Sequence, residues 1–190
     1  MTEKTTKINE KRGGFIALER TTVYQNKYGV IVFEDKVIRP DGKEGIYGWI
    51  QLGSGVSVLP IDDENNVYLG RGFMYPINRD SIEVASGGIE PGEPPSDAAR
   101  RELEEELGIK ARELIHVGSY RPITGRINTT QYMYIAKGLD FGENTDHIED
   151  MKLMRMPLEE AVRRVMNSEI DEGLTMVMIL KANELFGRKN

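Results

Sequence analysis

Three glutamates near the middle of the chain, Glu102, Glu105 and Glu106, have a spacing that places them on one face of a helix. Two carboxylates about 5 Å apart repel each other by roughly 3 kcal/mol at an effective dielectric constant of 20. Arg101 lies four residues before Glu105, and we expect it to offset one of the three charges but not all of them. The face therefore requires a further cation.

A hard divalent cation such as Mg²⁺ or Mn²⁺ binds carboxylate oxygens directly and would supply that charge. Such an ion keeps coordination positions open for water and phosphate oxygens. The three glutamates therefore predict a metal site that acts on a phosphate ester or anhydride. The alternative for the same pattern is an acidic helix face that is simply solvated.

The element that must position these glutamates is a short helix. Ser96 is suited to the N-cap, Asp97 to the positively polarised first turn, and Gly108 to the residue after the last turn. Leu103 and Leu107 form an apolar flank beside the acidic face. The preceding stretch, residues 87–95, contains three prolines and three glycines and is predicted to be a loop.

Loop and helix together match a known motif at every fixed position. Gly87 is followed after five residues by Glu93, after seven more by Arg101-Glu102-Leu103, then by Glu105-Glu106 and Gly108-Ile109. This is the pattern of the Nudix box, so the chain resembles a Nudix hydrolase. Its layout is similar to the branch of ADP-ribose and nucleoside-diphosphate-sugar pyrophosphatases.

The resemblance implies roles for the residues of the box. Glu102 and Glu106, with the backbone carbonyl of Ser86, would hold Mg²⁺, with Mn²⁺ as a possible substitute. Glu105 would ligate a second ion or help to activate water. The remaining fixed positions would have structural roles, and these are Gly87, Glu93, Arg101 and Gly108.

Other implied site residues lie outside the box. An acidic loop at residues 141–150 would supply a glutamate above the metals, for which Glu149 is the first choice and Glu143 and Asp146 the alternatives. Substrate contacts are expected from Arg71, Glu83 and Arg126. Tyr28 or Trp49 would stack on a base, although packing in a core or an interface explains both equally well.

Two departures from the branch concern the choice of substrate. Met74 stands where the branch has an arginine, and Thr124 lies in a loop where the branch has Ser-Pro-Gly followed by an acid. The expected reaction is Mg²⁺-dependent hydrolysis of a nucleoside diphosphate linked to another group, with ADP-ribose or a related nucleotide sugar first. GDP-mannose and dNTPs are the alternatives within the enzyme class, and a non-catalytic nucleotide sensor is the alternative outside it.

The organisation of the chain follows from its patterning. Residues 1–14 are rich in Lys, Thr and Glu and are predicted to be a flexible tail. Residues 15–54 are predicted to form an antiparallel β subdomain, which in the resembling branch mediates dimer formation, so we expect a homodimer. An extra sheet in a monomer is the alternative. Residues 55–190 are expected to form the hydrolase domain, an α/β/α sandwich with a mixed sheet.

Composition limits the remaining possibilities. The net charge of −6 and pI near 5.1 argue against a nucleic-acid-binding surface. The absence of cysteine excludes disulfides, thiolate zinc sites and a cysteine nucleophile, and it fits a reducing cytoplasm. No run of about 18 apolar residues indicates a membrane span. We expect a cytoplasmic enzyme whose partner is a small nucleoside diphosphate derivative.

Overall fold

The computed structural model describes residues 4–142 and 151–187. Its strands are β1 (Lys4–Arg12), β2 (Phe15–Gln25), β3 (Ile31–Ile38), β4 (Glu44–Gln51), β5 (Gly55–Pro60), β6 (Asn66–Met74), β7 (Arg79–Glu83), β8 (Ala85–Gly88), β9 (Ile109–Tyr120), β10 (Ile127–Asn128), β11 (Gln131–Phe141) and β12 (Lys152–Pro157). Its helices are α1 (Pro95–Leu107), α2 (Leu158–Met166) and α3 (Gly173–Phe186), with a 3₁₀ turn at Tyr75–Ile77.

The chain divides into two compact units. The first contains the residues up to Ser54 together with residues 121–130, and the second contains residues 55–120 and those from 131 onward. Each unit has its own sheets, because β10, the short strand of the 121–130 segment, pairs with β4.

The first unit is a five-stranded sheet in the order β1-β2-β3-β4-β10. The first four strands form an antiparallel meander, and β10 runs parallel to β4. The prediction of a flexible tail over residues 1–14 is wrong for Lys4–Arg12, which pair with β2 as an edge strand. Almost every side chain of β1 is exposed, so the strand has no hydrophobic alternation that would reveal it in the sequence.

The second unit contains a four-stranded sheet, β8-β5-β11-β9, and a three-stranded sheet, β12-β6-β7. Strand β11 runs parallel to β5 and antiparallel to β9, which confirms the predicted mixed sheet. Successive side chains of a strand point to opposite faces, and here they enter two different core clusters. Val58 packs with Leu103 of α1, whereas its neighbour Leu59 packs with Ile179 of α3. Helices therefore cover both faces, and the predicted α/β/α class is confirmed.

The helix boundaries depart slightly from those predicted. Helix α1 begins at Pro95 with Pro94 as its cap, so the prediction of Ser96 as N-cap is wrong. Proline suits the first helical position because its missing N–H has no partner there in any case. Helix α3 begins after Glu172, whose side chain accepts hydrogen bonds from the backbone N–H groups of Leu174 and Thr175. Among residues 4–142 and 151–187, no helix is long and apolar enough to cross a membrane.

Candidate active site

Helix α1 is fixed to the sheet by its apolar side. Ala98, Ala99, Leu103 and Leu107 are all buried against the β5 and β11 side chains of the same cluster. The helix ends at Gly108, which adopts a left-handed conformation with φ of 65° and donates its N–H to the Glu104 carbonyl. This conformation strains a residue that carries a Cβ, which explains the glycine. The adjacent side of the helix carries the glutamates.

The first close contact of the site joins β8 to α1. A Cβ atom at Gly87 would lie far inside 3.0 Å of the Glu102 carboxylate, a separation that real Cβ atoms do not show. Only glycine therefore allows that carboxylate to rest against the β8 backbone. The Glu102 side chain is only 12% exposed, and this burial raises the pKa of its carboxyl group.

Arg101 connects the loop to the helix. Its guanidinium pairs with Glu93 at 3.0 Å, with Glu102 at 2.7 Å and with Glu105 at 3.1 Å. It also donates to the Gly88 carbonyl at 2.9 Å. These contacts raise the pKa of Arg101, and the hydrogen bond from Arg101 lowers the pKa of Glu93. Its planar fork of donors reaches Glu93, Glu102 and Glu105, but one guanidinium carries a single positive charge and does not contact Glu106 in any of these bonds.

Glu106 has a different environment from the other two acids. It is 7% exposed, and its Oε2 accepts a hydrogen bond from the backbone N–H of Ser86 at 2.9 Å. This contact ties the end of α1 to β8, the strand whose Ser86 carbonyl the sequence predicts as a ligand. The structure thus brings Ser86, Glu102, Glu105 and Glu106 into one connected group around Arg101 and Gly87.

The chemistry of this group fits a hard cation. Within the described residues, no three or more His, Asp or Glu side chains converge so as to hold a metal ion. However, one guanidinium nitrogen, Nη1 of Arg101, lies between Glu102 and Glu105 and contacts both. The pair of carboxylates therefore already accepts one positive centre, and carboxylate oxygens are the donors that Mg²⁺ and Mn²⁺ prefer.

The predicted substrate residues are distributed over both units. In the second unit, Arg71 pairs with Asp80 at 3.1 Å, and Glu83 ends β7 opposite Gly70. In the first unit, Arg126 donates to the Gly48 carbonyl at 3.3 Å, and Tyr28 is 79% exposed. Arg71, which was predicted to contact the substrate, is thus engaged in an ion pair within its own sheet.

The predicted catalytic glutamate of the acidic loop cannot be placed. Glu149, with the alternatives Glu143 and Asp146, lies in residues 143–150, outside the described part of the chain. Its role stays a prediction.

A cavity of about 470 Å³ in the first unit was not predicted from the sequence. Its lining includes Arg12, Asp35, Trp49, Arg121 and Arg126, which come from β1, β3, β4 and the segment before β10. These residues are far apart in the chain, and Arg12 lies in the segment that the sequence predicts to be a flexible tail. The pair of arginines at positions 121 and 126 was the one signal in the sequence.

Comparison with known proteins gives consistent matches. A family model described as the NUDIX domain matches residues 51–175. The chain is 28% identical over 174 residues to an ADP-ribose pyrophosphatase from Bacillus subtilis, which covers 86% of this chain and 92% of that protein. It is 28% identical over 148 residues to a methanol dehydrogenase activator from Bacillus methanolicus, covering 76% and 80% respectively.

A structural match agrees with these relatives. The fold is similar to the crystal structure of an ADP compounds hydrolase, with a TM-score of 0.79 and 19% identity, covering 95% of this chain and 96% of the other. At that identity the likeness concerns the fold alone.

Proposed function

The chain belongs to the Nudix family and is a pyrophosphohydrolase of the ADP-ribose pyrophosphatase type, and from this premise we propose its substrate, its metal and its site residues. The proposed reaction is the Mg²⁺-dependent hydrolysis of the pyrophosphate bond in a nucleoside diphosphate linked to a second group. ADP-ribose is the first substrate, because the relatives from Bacillus subtilis and Mycobacterium tuberculosis, each 28% identical to this chain, are named ADP-ribose pyrophosphatases.

One observation carries the proposal for the site. Gly87 and Arg101, both fixed positions of the box, hold the Glu102 carboxylate between the β8 backbone and a guanidinium. A carboxylate restrained on two sides loses little further conformational freedom when it binds a ligand. The arrangement therefore supports Glu102 as a preorganised ligand rather than as a mobile surface acid.

The metal would be held by Glu102, Glu106 and the Ser86 carbonyl. When bound, Mg²⁺ would lower the pKa of a coordinated water and neutralise charge on the pyrophosphate. Glu106 is oriented by its hydrogen bond from the Ser86 N–H. This bond fixes the Glu106 carboxylate relative to the backbone of Ser86, whose carbonyl is another of the proposed ligands. Glu105 is the most accessible of the three acids, with a side chain 44% exposed, and is suited to accept a proton or to contact a second ion.

The substrate proposal has alternatives that the same experiment separates. Met74, the last residue of β6, replaces the arginine of the ADP-ribose branch, and Arg71 is engaged with Asp80. We propose Arg71, Glu83, Arg126 and Tyr28 as substrate contacts, and Glu149 as the group that orients water. GDP-mannose and dNTPs stand as the other substrates to be compared.

The test of function is a substrate panel. ADP-ribose, GDP-mannose and dNTPs are incubated with the protein and Mg²⁺, and phosphate release is read after phosphatase treatment. We expect ADP-ribose to be cleaved fastest and EDTA to abolish cleavage. Cleavage of no nucleotide in the panel would contradict an enzyme and favour the nucleotide sensor.

The test of the site uses three glutamates of one helix. Glu105→Gln and Glu106→Gln should each lower kcat by about 10²-fold or more, because each removes a charged group of the proposed centre. Glu104→Gln is the matched control, since Glu104 pairs with Lys110 at 3.0 Å and takes no part in the Arg101 group. Equal rates in all three variants would refute the assignment.

We further propose a cytoplasmic homodimer that associates through the first unit. Seven large side chains with apolar surface among the described residues of this unit are more than a third exposed, and these are Ile16, Val23, Tyr24, Tyr28, Ile46, Tyr47 and Ile123. Exposed apolar side chains in this number are a feature that an interface would cover. Light scattering coupled to gel filtration tests the dimer, and a monomer at all concentrations would contradict it. Cell fractionation tests the location.

A further inference from the structure

Strands β7 and β8 follow each other in the chain but belong to different sheets of the second unit. Glu83, the last residue of β7, pairs with Gly70 of β6. Ala85, the first residue of β8, pairs with Val58 of β5. Val84 lies between these two pairs and, in the described part of the chain, belongs to neither ladder. The chain therefore changes sheets at this one residue.

This crossover joins two parts of the proposed site. Glu83, proposed to contact the substrate, directly precedes Val84, and Ser86, whose carbonyl is proposed to bind the metal, follows two residues later. The link between them is the backbone of Val84 and Ala85, and a backbone has two soft dihedral angles per residue. The conformation at Val84 therefore sets the position of the Ser86 carbonyl relative to Glu83.

A side chain from a distant part of the chain holds the crossover in place. The N–H of Val84 donates a hydrogen bond of 3.0 Å to the hydroxyl of Thr175 in helix α3. Thr175 is fully buried and Val84 is 2% exposed, so the bond is shielded from water. A buried backbone N–H group requires a partner, and at this position the Thr175 hydroxyl takes the place of a strand.

Thr175 is itself fixed in the first turn of α3. Its backbone N–H and that of Leu174 donate to the Glu172 side chain, at 2.6 and 3.0 Å respectively. The residue before this cap, Asp171, forms an ion pair with Arg79, the first residue of β7. The start of α3 thus contacts the strand at its first residue and directly after its last. The ion pair is exposed, so we expect the buried Thr175 bond to restrain the strand more strongly.

We propose that Thr175 is a positioning residue of the site: by accepting the Val84 N–H, it fixes the Ser86 carbonyl relative to Glu83. This inference rests on the proposed function, because the roles of Ser86 and Glu83 come from there. Loss of the hydroxyl would leave a buried N–H without its partner, and the backbone would shift to reach another acceptor. The same shift would displace the Ser86 carbonyl. Replacing a group that orients a metal ligand typically costs about 10–100-fold in affinity or activity.

Three variants test the proposal by a measurement that needs no turnover. Thr175→Val replaces the hydroxyl with a methyl group and should weaken Mn²⁺ binding by about tenfold, read from the electron paramagnetic resonance signal of free Mn²⁺ without substrate. The kcat for ADP-ribose should fall by a similar factor. Thr175→Ser keeps the hydroxyl and should recover most of both losses. Ile179→Val is the matched control, because Ile179 is buried one turn further along α3. It should lower Tm but leave Mn²⁺ affinity within about twofold.

The parent protein offers a second test that does not depend on the folding of a variant. Coupling between two binding events is reciprocal, so if the Val84 bond strengthens metal binding, then Mg²⁺ must strengthen the bond. Amide exchange of Val84, followed by NMR, should slow by about tenfold more at saturating Mg²⁺ than that of Ile61. Ile61 is the reference because its buried N–H donates to the Ala136 carbonyl at 2.9 Å in the same unit.

A purely structural role for Thr175 gives different results. If Thr175→Val lowers Tm but leaves Mn²⁺ affinity and kcat where Ile179→Val leaves them, the proposal is overturned. Equal effects of Mg²⁺ on the exchange of the Val84 and Ile61 amides would also overturn it, as would a parent protein that binds no Mn²⁺. Mn²⁺ binding that depends on the Thr175 hydroxyl, without cleavage of any nucleotide, would support this proposal and contradict the proposed activity alone.

Discussion

Gly87→Ala is the substitution that most directly tests how the site is built. The added Cβ would overlap the Glu102 carboxylate, at a separation far inside 3.0 Å. The backbone of β8 is fixed by its pairing with β5, in which Gly87 stands opposite Val56. The carboxylate must therefore move, and restoring a normal van der Waals contact requires a displacement of about 1 Å.

That displacement has a calculable cost in activity. A misplacement of about 1 Å at a reacting centre lowers a rate by about 10²-fold, which corresponds to about 2.7 kcal/mol of transition-state stabilisation. The 2.7 Å bond between Arg101 and Glu102 would also lengthen. A charge-assisted hydrogen bond is worth about 1.5–3 kcal/mol, and partial loss should lower the free energy of unfolding by about 1–2 kcal/mol. We expect activity to suffer more than stability.

The assay is steady-state hydrolysis of ADP-ribose with saturating Mg²⁺, together with urea denaturation of each variant. Gly88→Ala is the matched control, because a Cβ at Gly88 meets no atom within 4 Å. Its kcat should stay within about threefold of the parent, an estimate for a substitution that contacts nothing. A kcat for Gly87→Ala equal to that of Gly88→Ala would refute the reasoning.

A double variant tests whether the effect runs through Glu102. Glu102→Ala removes the carboxylate and leaves room for the new Cβ. If the overlap is the cause, adding Gly87→Ala to Glu102→Ala should lower kcat by no more than about twofold further. A further fall of the full 10²-fold would show that Gly87 acts by another route.

Three further predictions concern stability. The hydroxyl of Ser57 is fully buried and has no hydrogen-bond partner among the described residues, so Ser57→Ala should raise the free energy of unfolding by about 1 kcal/mol in urea denaturation. Thr175→Val should lower it instead, because the Thr175 hydroxyl accepts the buried Val84 N–H at 3.0 Å. Hydrogen bonds from Arg163 and Arg164 lower the pKa of the Glu160 carboxyl group to about 2. In the unfolded chain this pKa is about 4.3, so the ionised carboxylate contributes its full stabilisation of the fold only above that pH. Glu160→Gln should therefore lower Tm at pH 7, and the difference should close as the pH falls to about 2; a pH-independent difference would contradict this origin.

Local patterns in the sequence predicted the helix and the sandwich class. The spacing of Leu103 and Leu107 beside the glutamates places α1 on its apolar side, and both leucines are buried there. Successive side chains of β5 and β11 enter the two different core clusters, as the predicted sandwich requires. In each case the information lies within one turn or one strand, so neighbouring residues suffice to read it.

Features that depend on distant partners were not predicted. Strand β1 has no apolar face, and its place is determined by pairing with β2. Residues 121–130 join the first unit through the pairing of Ile127 with Ile50, although the chain enters the segment from the second unit. Main-chain pairing depends little on side-chain type, so neither arrangement has a sequence signature. Both segments contribute to the lining of the cavity, which was missed for this reason.

The structure shows how far the protein itself offsets the acidic face. Arg101 contacts Glu102 and Glu105, and the Ser86 N–H contacts Glu106. One guanidinium offsets one of the three negative charges, so the face keeps a net negative charge that favours a further cation. The oxygen donor set and its restraint by Gly87 add to this charge as grounds for proposing a metal. Arg101 Nη1 lies between Glu102 and Glu105, so a cation bound there would share both carboxylates with the guanidinium, and we expect a substitution of Arg101 to change the affinity for the metal.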